Sequence, residues 1–213
     1  MICITFGRLP ADYEDRLENM ILTLPQSRAE MLKKRKNKTE YAVSVFSSAA
    51  LYEFAEKYTG KPRDTIITDY DKNGKPFFRD LPFLHFSVSH SFPYYAVSFS
   101  DKPTGADIEF LRDINPKLAK RMFIENENRY FDGGAERFFE IWTKKEAYSK
   151  YTGNGIAEGF RSFDVLSQPI SNNLFFCRFE DAFLSVYSER KIGDEIIEIL
   201  FLNQGGKPCL TQR

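Results

Sequence analysis

At Gly60 the apolar pattern of this chain changes period, and that switch limits the fold more than any other feature. Upstream, ADYEDRLENMILTL (residues 11–24) sets Tyr13, Leu17, Ile21 and Leu24 on one helical face, and Pro25 ends it. A basic run, KKRKNK from Lys33 to Lys38, leads into a second helical stretch that closes at Gly60. Downstream the period falls to two. TIITDY, LHFSVS, YYAVSFS and TGADIEF read as strands, with turn signals at Asn73-Gly74 and Ser91-Phe92-Pro93. Helical spacing returns from about Asn115 to Tyr151, breaks at Gly133-Gly134 and stops at Gly153 and Gly155. FRSFDVL, LFFCRFE, AFLSVYS and EIIEILFL are short strand candidates in the remainder. Helices, strands, helices, strands in that order predicts an α+β fold with two subdomains meeting near residues 101–104.

Thirty basic and thirty acidic residues cancel over 213 positions, so no global field draws the chain to nucleic acid or to an anionic membrane. MICITFGRLP lacks a basic leader and a long apolar core, and no apolar run reaches the length of a membrane span. The expectation is a cytoplasmic protein with no membrane and no nucleic-acid partner. Cys3, Cys177 and Cys209 are odd in number and far apart, which fits neither a disulfide framework nor a zinc site.

Four segments carry the candidate chemistry. In PTGADIEF, Asp107 and Glu109 stand at i and i+2 and share a strand face, roughly 6.5 Å apart. Either solvent screens the two charges or a cation does, and Mg²⁺ beside nucleotide phosphates would suit such a pair. In WTKKEAYSK, Trp142, Glu146 and Lys150 share a helical face. There Glu146–Lys150 reads as a surface ion pair, or else as a metal ligand and a phosphate-neutralising ammonium. In FSVSHS, His85 and His90 face opposite ways along a strand, and Ser89 and His90 lie where it turns, offering a hydroxyl and an imidazole to an anion. NGKP, Asn73 to Pro76, is a tight turn whose backbone provides a platform for a flat base, with Lys75 beside a phosphate.

The order GKP, FSVSHS, GADIE and WTKKEAYSK resembles the 4′-phosphopantetheinyl transferases of the surfactin-synthetase-activating (Sfp-like) type, from about Arg28 to Val165 and most densely from Asp69 to Ile156. The resemblance implies two similar α/β subdomains, residues 1–102 and 103–213, joined as an intramolecular pseudo-dimer, hence a monomer. It implies transfer of the 4′-phosphopantetheine arm of coenzyme A to a serine of an apo-carrier protein, as a holo-carrier-protein synthase does. Asp107, Glu109 and Glu146 would then hold Mg²⁺, Lys150 would touch the pyrophosphate, and Ser89 and His90 would bind coenzyme A phosphates. Gly74, Lys75 and Pro76 would flank the adenine. Lys145 also matches the motif. The family usually carries an arginine early in the second helix for the 3′-phosphate; here Tyr41 falls near that place, and Lys38 is the substitute. The segment PKLAKRMF, with Lys117, Lys120 and Arg121 beside Met122 and Phe123, is a candidate docking edge for an acidic carrier. The alternatives are a Mg²⁺-dependent enzyme acting on another nucleotide diphosphate, such as a hydrolase, and a catalytically silent relative that binds carriers.

Overall fold

A strand also precedes the first helix. In a computed structural model, which describes residues 2–153 and 159–189 and the backbone of 197–201, ICITFGR forms strand β1 (Ile2–Arg8). Gly155 and Cys209 lie outside the described residues, as do the ends of EIIEILFL. Sequence reading missed β1 because it is buried on both faces, which removes the polar alternation that marks a half-exposed strand.

The helices α1 (Tyr13–Leu22), α2 (Gln26–Lys33) and α3 (Lys38–Thr59) follow. Asn37 starts α3 by accepting the N–H groups of Thr39 and Glu40, and Gly60 ends it in the left-handed region at φ 72°. A short hairpin, β2 (Thr68–Tyr70) and β3 (Pro76–Phe78), precedes β4 (His85–Ser91), β5 (Tyr94–Ser100) and β6 (Thr104–Phe110). The expected helical stretch from residue 115 onward is three helices: α4 (Pro116–Met122), α5 (Glu125–Tyr130) and α6 (Ala135–Thr152). FRSFDVL forms no strand; Phe160–Ser162 is a single 3₁₀ turn that buries Phe160. The chain continues through β7 (Leu174–Phe179), β8 (Ala182–Ser188) and β9 (Ile197–Phe201). None of the described helices is long and apolar enough to cross a membrane.

The architecture is α+β, as expected. One sheet runs β4-β5-β1-β9 and another β6-β8-β7, all antiparallel except the β1–β9 pair. Because β9 lies beside β1, the chain returns to its first sheet after building the second. Strand alternation sorts the side chains into three cores. Ile2, Ile4, Phe6, Tyr94 and Ala96 of the first sheet meet Ala106, Ile108, Leu184 and Val186 of the second, so the sheets pack face to face. The opposite face of the first sheet, with Tyr95, Val97 and Phe99, is covered by α1–α3. The outer face of the second sheet carries Phe183 and packs on Phe138, Phe139 and Ile141 of α6. Each such buried side chain contributes about 1.5–3 kcal/mol.

Two contacts decide where the functional residues fall. Strand β4 carries serines at alternate positions, and they face the outer edge of β6. Ser87 Oγ accepts the N–H of Ala106 at 3.0 Å, and Ser91 Oγ accepts that of Phe110 at 3.1 Å. These hydroxyls satisfy edge donors that a neighbouring strand would otherwise take. The second contact is α6 over β6. A Cβ built on Gly105 would lie 2.0 Å from the carbonyl oxygen of Ala147 and 2.4 Å from the nitrogen of Tyr151. Only glycine lets the helix backbone come so close. Gly105→Ala must therefore push α6 off the strand, and we expect a loss of at least about 3 kcal/mol, the upper end for overpacking. Urea unfolding reads it directly; a loss under 1 kcal/mol would show that the approach is relaxed at little cost.

Candidate active site

The face of β6 that holds Gly105 also holds Asp107 and Glu109, while Ala106 and Ile108 point into the inter-sheet core. That explains why a strand carries two acids on one face: it is the face over which α6 lies. Asp107 is 4 % exposed. Lys150, two helical turns after Trp142, donates to Asp107 Oδ1 at 2.7 Å and to Ser89 Oγ at 2.8 Å. Ser89 in turn donates to the same Asp107 oxygen at 2.8 Å. Three elements, β4, β6 and α6, thus meet in one closed polar triangle. Asp107 Oδ2 is left buried without a hydrogen-bond partner.

Glu146 sits one helical turn before Lys150. Its carboxyl is pushed up to about 7, first by burial and then by the charge of Asp107; Lys150 offsets part of this and Glu109 adds a smaller push. Of the two readings of this helix, the Glu146–Lys150 surface pair is not the contact the ammonium makes: it turns across the interface to Asp107. Glu109 Oε2 accepts from Ser91 at 3.0 Å and from Arg112 at 2.8 Å, so this third acid already has a cation. Among the described residues no three acid, imidazole or thiol groups form a preassembled metal cage. Trp142 packs in the outer core, stacked on Phe138 and edge-on to Phe160.

Of the other predicted residues, His90 lies within β4, opposite Tyr95, and the turn comes later, at Phe92-Pro93. Alternation aims it away from Ser89 and toward α3. There Nε2 is 3.3 Å from Ser44 Oγ and Nδ1 is 3.5 Å from Glu40 Oε2, too long for a hydrogen bond. Burial pushes the imidazole below its ordinary value; Glu40 opposes that, and Arg35 and Lys150 reinforce it. Lys38 is exposed on the first turn of α3, and Tyr41 packs against the N-terminal core. Gly74, at φ 83°, makes the hairpin turn, with Asp71 Oδ1 accepting from the N–H groups of Asn73 and Lys75. Lys75 Nζ donates to the carbonyls of Tyr151 at 2.9 Å and Thr104 at 3.4 Å, so it latches the turn to the end of α6.

Between that turn and α6 lies a cleft of about 230 Å³ lined by Asn73, Gly74, Lys75, Pro76, Phe86, Val88, Ser149 and Lys150, among others. It unites the predicted base platform with the predicted phosphate-binding lysine. A larger hollow of about 500 Å³ lies by the N-terminal end of α6, where Arg112 and Arg137 are paired with Glu109 and Glu140. Lys150 lines the smaller cleft, and the arginines of the larger hollow are already paired, so the smaller cleft is the candidate site.

Residues 103–200 match the family model described as the 4′-phosphopantetheinyl transferase superfamily. Over those residues the chain is similar to that superfamily. It is 39 % identical over 107 residues to the 4′-phosphopantetheinyl transferase psf-1 of Bacillus pumilus, covering 48 % of this chain and 46 % of the relative. Against the 4′-phosphopantetheinyl transferase gsp of Aneurinibacillus migulanus the identity is 27 % over 169 residues, 76 % of this chain and 70 % of that one. Sfp of Bacillus subtilis (strain 168), also named a 4′-phosphopantetheinyl transferase, is 35 % identical over 97 residues, 43 % of each chain. The chain thus spans about half the length of the first of these superfamily relatives.

Lys145 of the superfamily-like WTKKEAYSK segment has a structural place. It is fully buried and donates to both oxygens of Glu127, at 2.7 and 2.8 Å, and to the Phe163 carbonyl at 2.9 Å. Glu127 also accepts the N–H groups of Ile124 and Val165. All three ammonium protons are used, and α5, α6 and the 163–165 segment are pinned together. Burial depresses the lysine and raises the glutamate, against their mutual attraction. Sequence gave no sign of Glu127, since nothing in its spacing ties it to Lys145. Lys145→Met leaves a buried charge unpaired and should cost about 3–5 kcal/mol, whereas adding Glu127→Leu should recover much of that. Equal midpoints for the single and double variants would show that the pair is not coupled.

Glu146 generates a pH prediction. Its folded value of about 7 exceeds the ordinary 4.5, so the native state holds this proton more tightly than the unfolded chain does. The stabilisation is complete below about pH 4.5 and is lost as pH rises through about 7. With a chelator present, wild-type melting temperature should fall between pH 5 and 8 relative to Glu146→Gln. Parallel curves would contradict the buried, crowded carboxyl.

Proposed function

We propose that the protein transfers the 4′-phosphopantetheine arm of coenzyme A to a serine of an apo-carrier protein, releasing 3′,5′-ADP, with residues 1–102 and 103–213 as the two halves around the cleft. The observation that carries this reading is the Ser89–Asp107–Lys150 triangle near Glu146, whose Lys150 also lines a cleft bounded by the Gly74-Lys75-Pro76 turn. Its family likeness supports the same reading.

The acids fit Mg²⁺. Asp107 Oδ2 is buried with no partner, and Glu146 is a crowded carboxyl that a cation would relieve. Mg²⁺ takes one or two carboxylates and completes its shell with phosphate oxygens and water. Asp107 and Glu146, with Glu109 beside them, would hold it. When bound, it would neutralise the charge that builds on the phosphoryl and leaving oxygens.

The chain's own groups supply the rest. Lys150, on the cleft wall, would offer its ammonium to a pyrophosphate oxygen in place of Ser89. Ser89 would orient Asp107, and His90 would meet coenzyme A phosphates only through its α3-facing edge, near Arg35 and Lys38. Gly74, Lys75 and Pro76 would flank the adenine, with Lys75 acting chiefly as the latch that keeps the turn in place. Glu146, beside Lys150 and Asp107, is our candidate to accept the serine proton as the hydroxyl attacks phosphorus. On α4, Lys117, Lys120 and Arg121 are exposed around Leu118, a basic edge suited to an acidic carrier. We place the protein in the cytoplasm as a monomer.

Incubation with coenzyme A, Mg²⁺ and an apo-carrier should add the mass of phosphopantetheine to the carrier. Glu146→Gln should cut turnover by at least about a hundredfold. Coenzyme A breakdown without any carrier modification would instead identify a hydrolase, and full activity of the variant would remove Glu146 from the chemistry.

A further inference from the structure

The cleft contains a buried hydroxyl with no partner. Ser149 is 2 % exposed, lies on α6 beside Lys150, and lines the cleft, yet its Oγ makes no hydrogen bond. Helical serines commonly bond back to a carbonyl one turn earlier, and this one does not. A buried hydroxyl left unpaired costs about 1–3 kcal/mol, so one beside a cleft is a candidate to pair with what enters it.

The surroundings specify what. Both ammonium groups on the cleft wall are engaged: Lys75 by the carbonyls of Tyr151 and Thr104, Lys150 by Asp107 and Ser89. Lys150 sits at the acid cluster, where a phosphate would displace Ser89. The remainder of the wall offers Pro76, Phe86 and Val88 as apolar surface, the open backbone of Gly74, and the Asn73 side chain. A Cβ on Gly74 would meet nothing within 4 Å, so its backbone is free to take a flat face. Flat apolar walls, an uncharged donor–acceptor and no available cation on that side suit a neutral heteroaromatic ring with polar edge atoms. They do not suit an anion.

We propose that Ser149 Oγ hydrogen-bonds the edge of the nucleobase of the bound co-substrate, making it a binding and specificity residue of the cleft. This rests on the reading that the cleft takes coenzyme A. It also has an unusual sign: the hydroxyl serves the bound state at a cost to the free protein. Removing it stabilises the unliganded fold or leaves it unchanged, and it weakens the complex.

Calorimetry on wild type and Ser149→Ala, with coenzyme A and separately with 3′,5′-ADP, tests the proposal. The two ligands share the base, ribose and 3′-phosphate and differ in the phosphopantetheine arm. Ser149→Ala should weaken both by the same factor, about fivefold for one neutral hydrogen bond, while the unliganded melting temperature holds or rises. Weakening of coenzyme A alone would move the contact to the pantetheine arm and overturn the base assignment. Unchanged affinity for both, or a lower melting temperature of the free variant, would overturn the role altogether. A wild-type protein that binds neither ligand would instead refute the coenzyme A reading on which the inference stands.

Discussion

Everything in the site depends on how closely α6 can lie on β6. The backbone of Ala147 and Tyr151 occupies the space where a side chain at residue 105 would be. That proximity brings Lys150 within 2.7 Å of Asp107 and brings Glu146 into the field of two other carboxylates. With a wider gap, water would screen these groups and their mutual influence would shrink several-fold. The glycine of G-x-D-x-E thus shapes the candidate site as much as its acids do.

The serines of β4 form the other half of the construction. A polar stripe in the middle of a protein is expensive unless every group is paired. Here Ser87 and Ser91 take up edge donors of β6, while Ser89 is spent on Asp107. One strand therefore closes the seam between the sheets and delivers a hydroxyl to the active site. The Lys145–Glu127 pair does comparable work on the far side of α6, where a saturated ion pair in the dry interior ties the helix to α5 and to the 163–165 segment. Lys145 and Glu146 are adjacent in sequence but serve different faces of the helix: one anchors it, the other stands among the acids of the candidate site.

Much of this was legible in the chain. The change of period at Gly60 announced α+β, Gly60 and Gly153 marked helix ends, and the spacing of GADIE and WTKKEAYSK named the acids and the lysine. What was missed has identifiable causes. β1 hid because burial on both faces erases alternation. His90 was placed at a turn because Phe92-Pro93 looked closer to it than it is; the strand runs through Ser91. A lysine after glycine in a turn looks free, whereas the Lys75 ammonium donates to the carbonyl of Tyr151, 76 residues away in sequence, and to that of Thr104 in β6.

The sequence by itself determined which residues could do chemistry and which elements carry them, because side-chain type and local period are properties of neighbours along the chain. Only the tertiary structure decided the partners: that Lys150 serves Asp107 and not Glu146, that Lys145 is sealed inside, that Ser149 is buried and unpaired beside the cleft. Those outcomes turn on ångström-scale distances between elements far apart in sequence, and on how much water remains between them. A pattern of letters specifies neither quantity until the chain has packed.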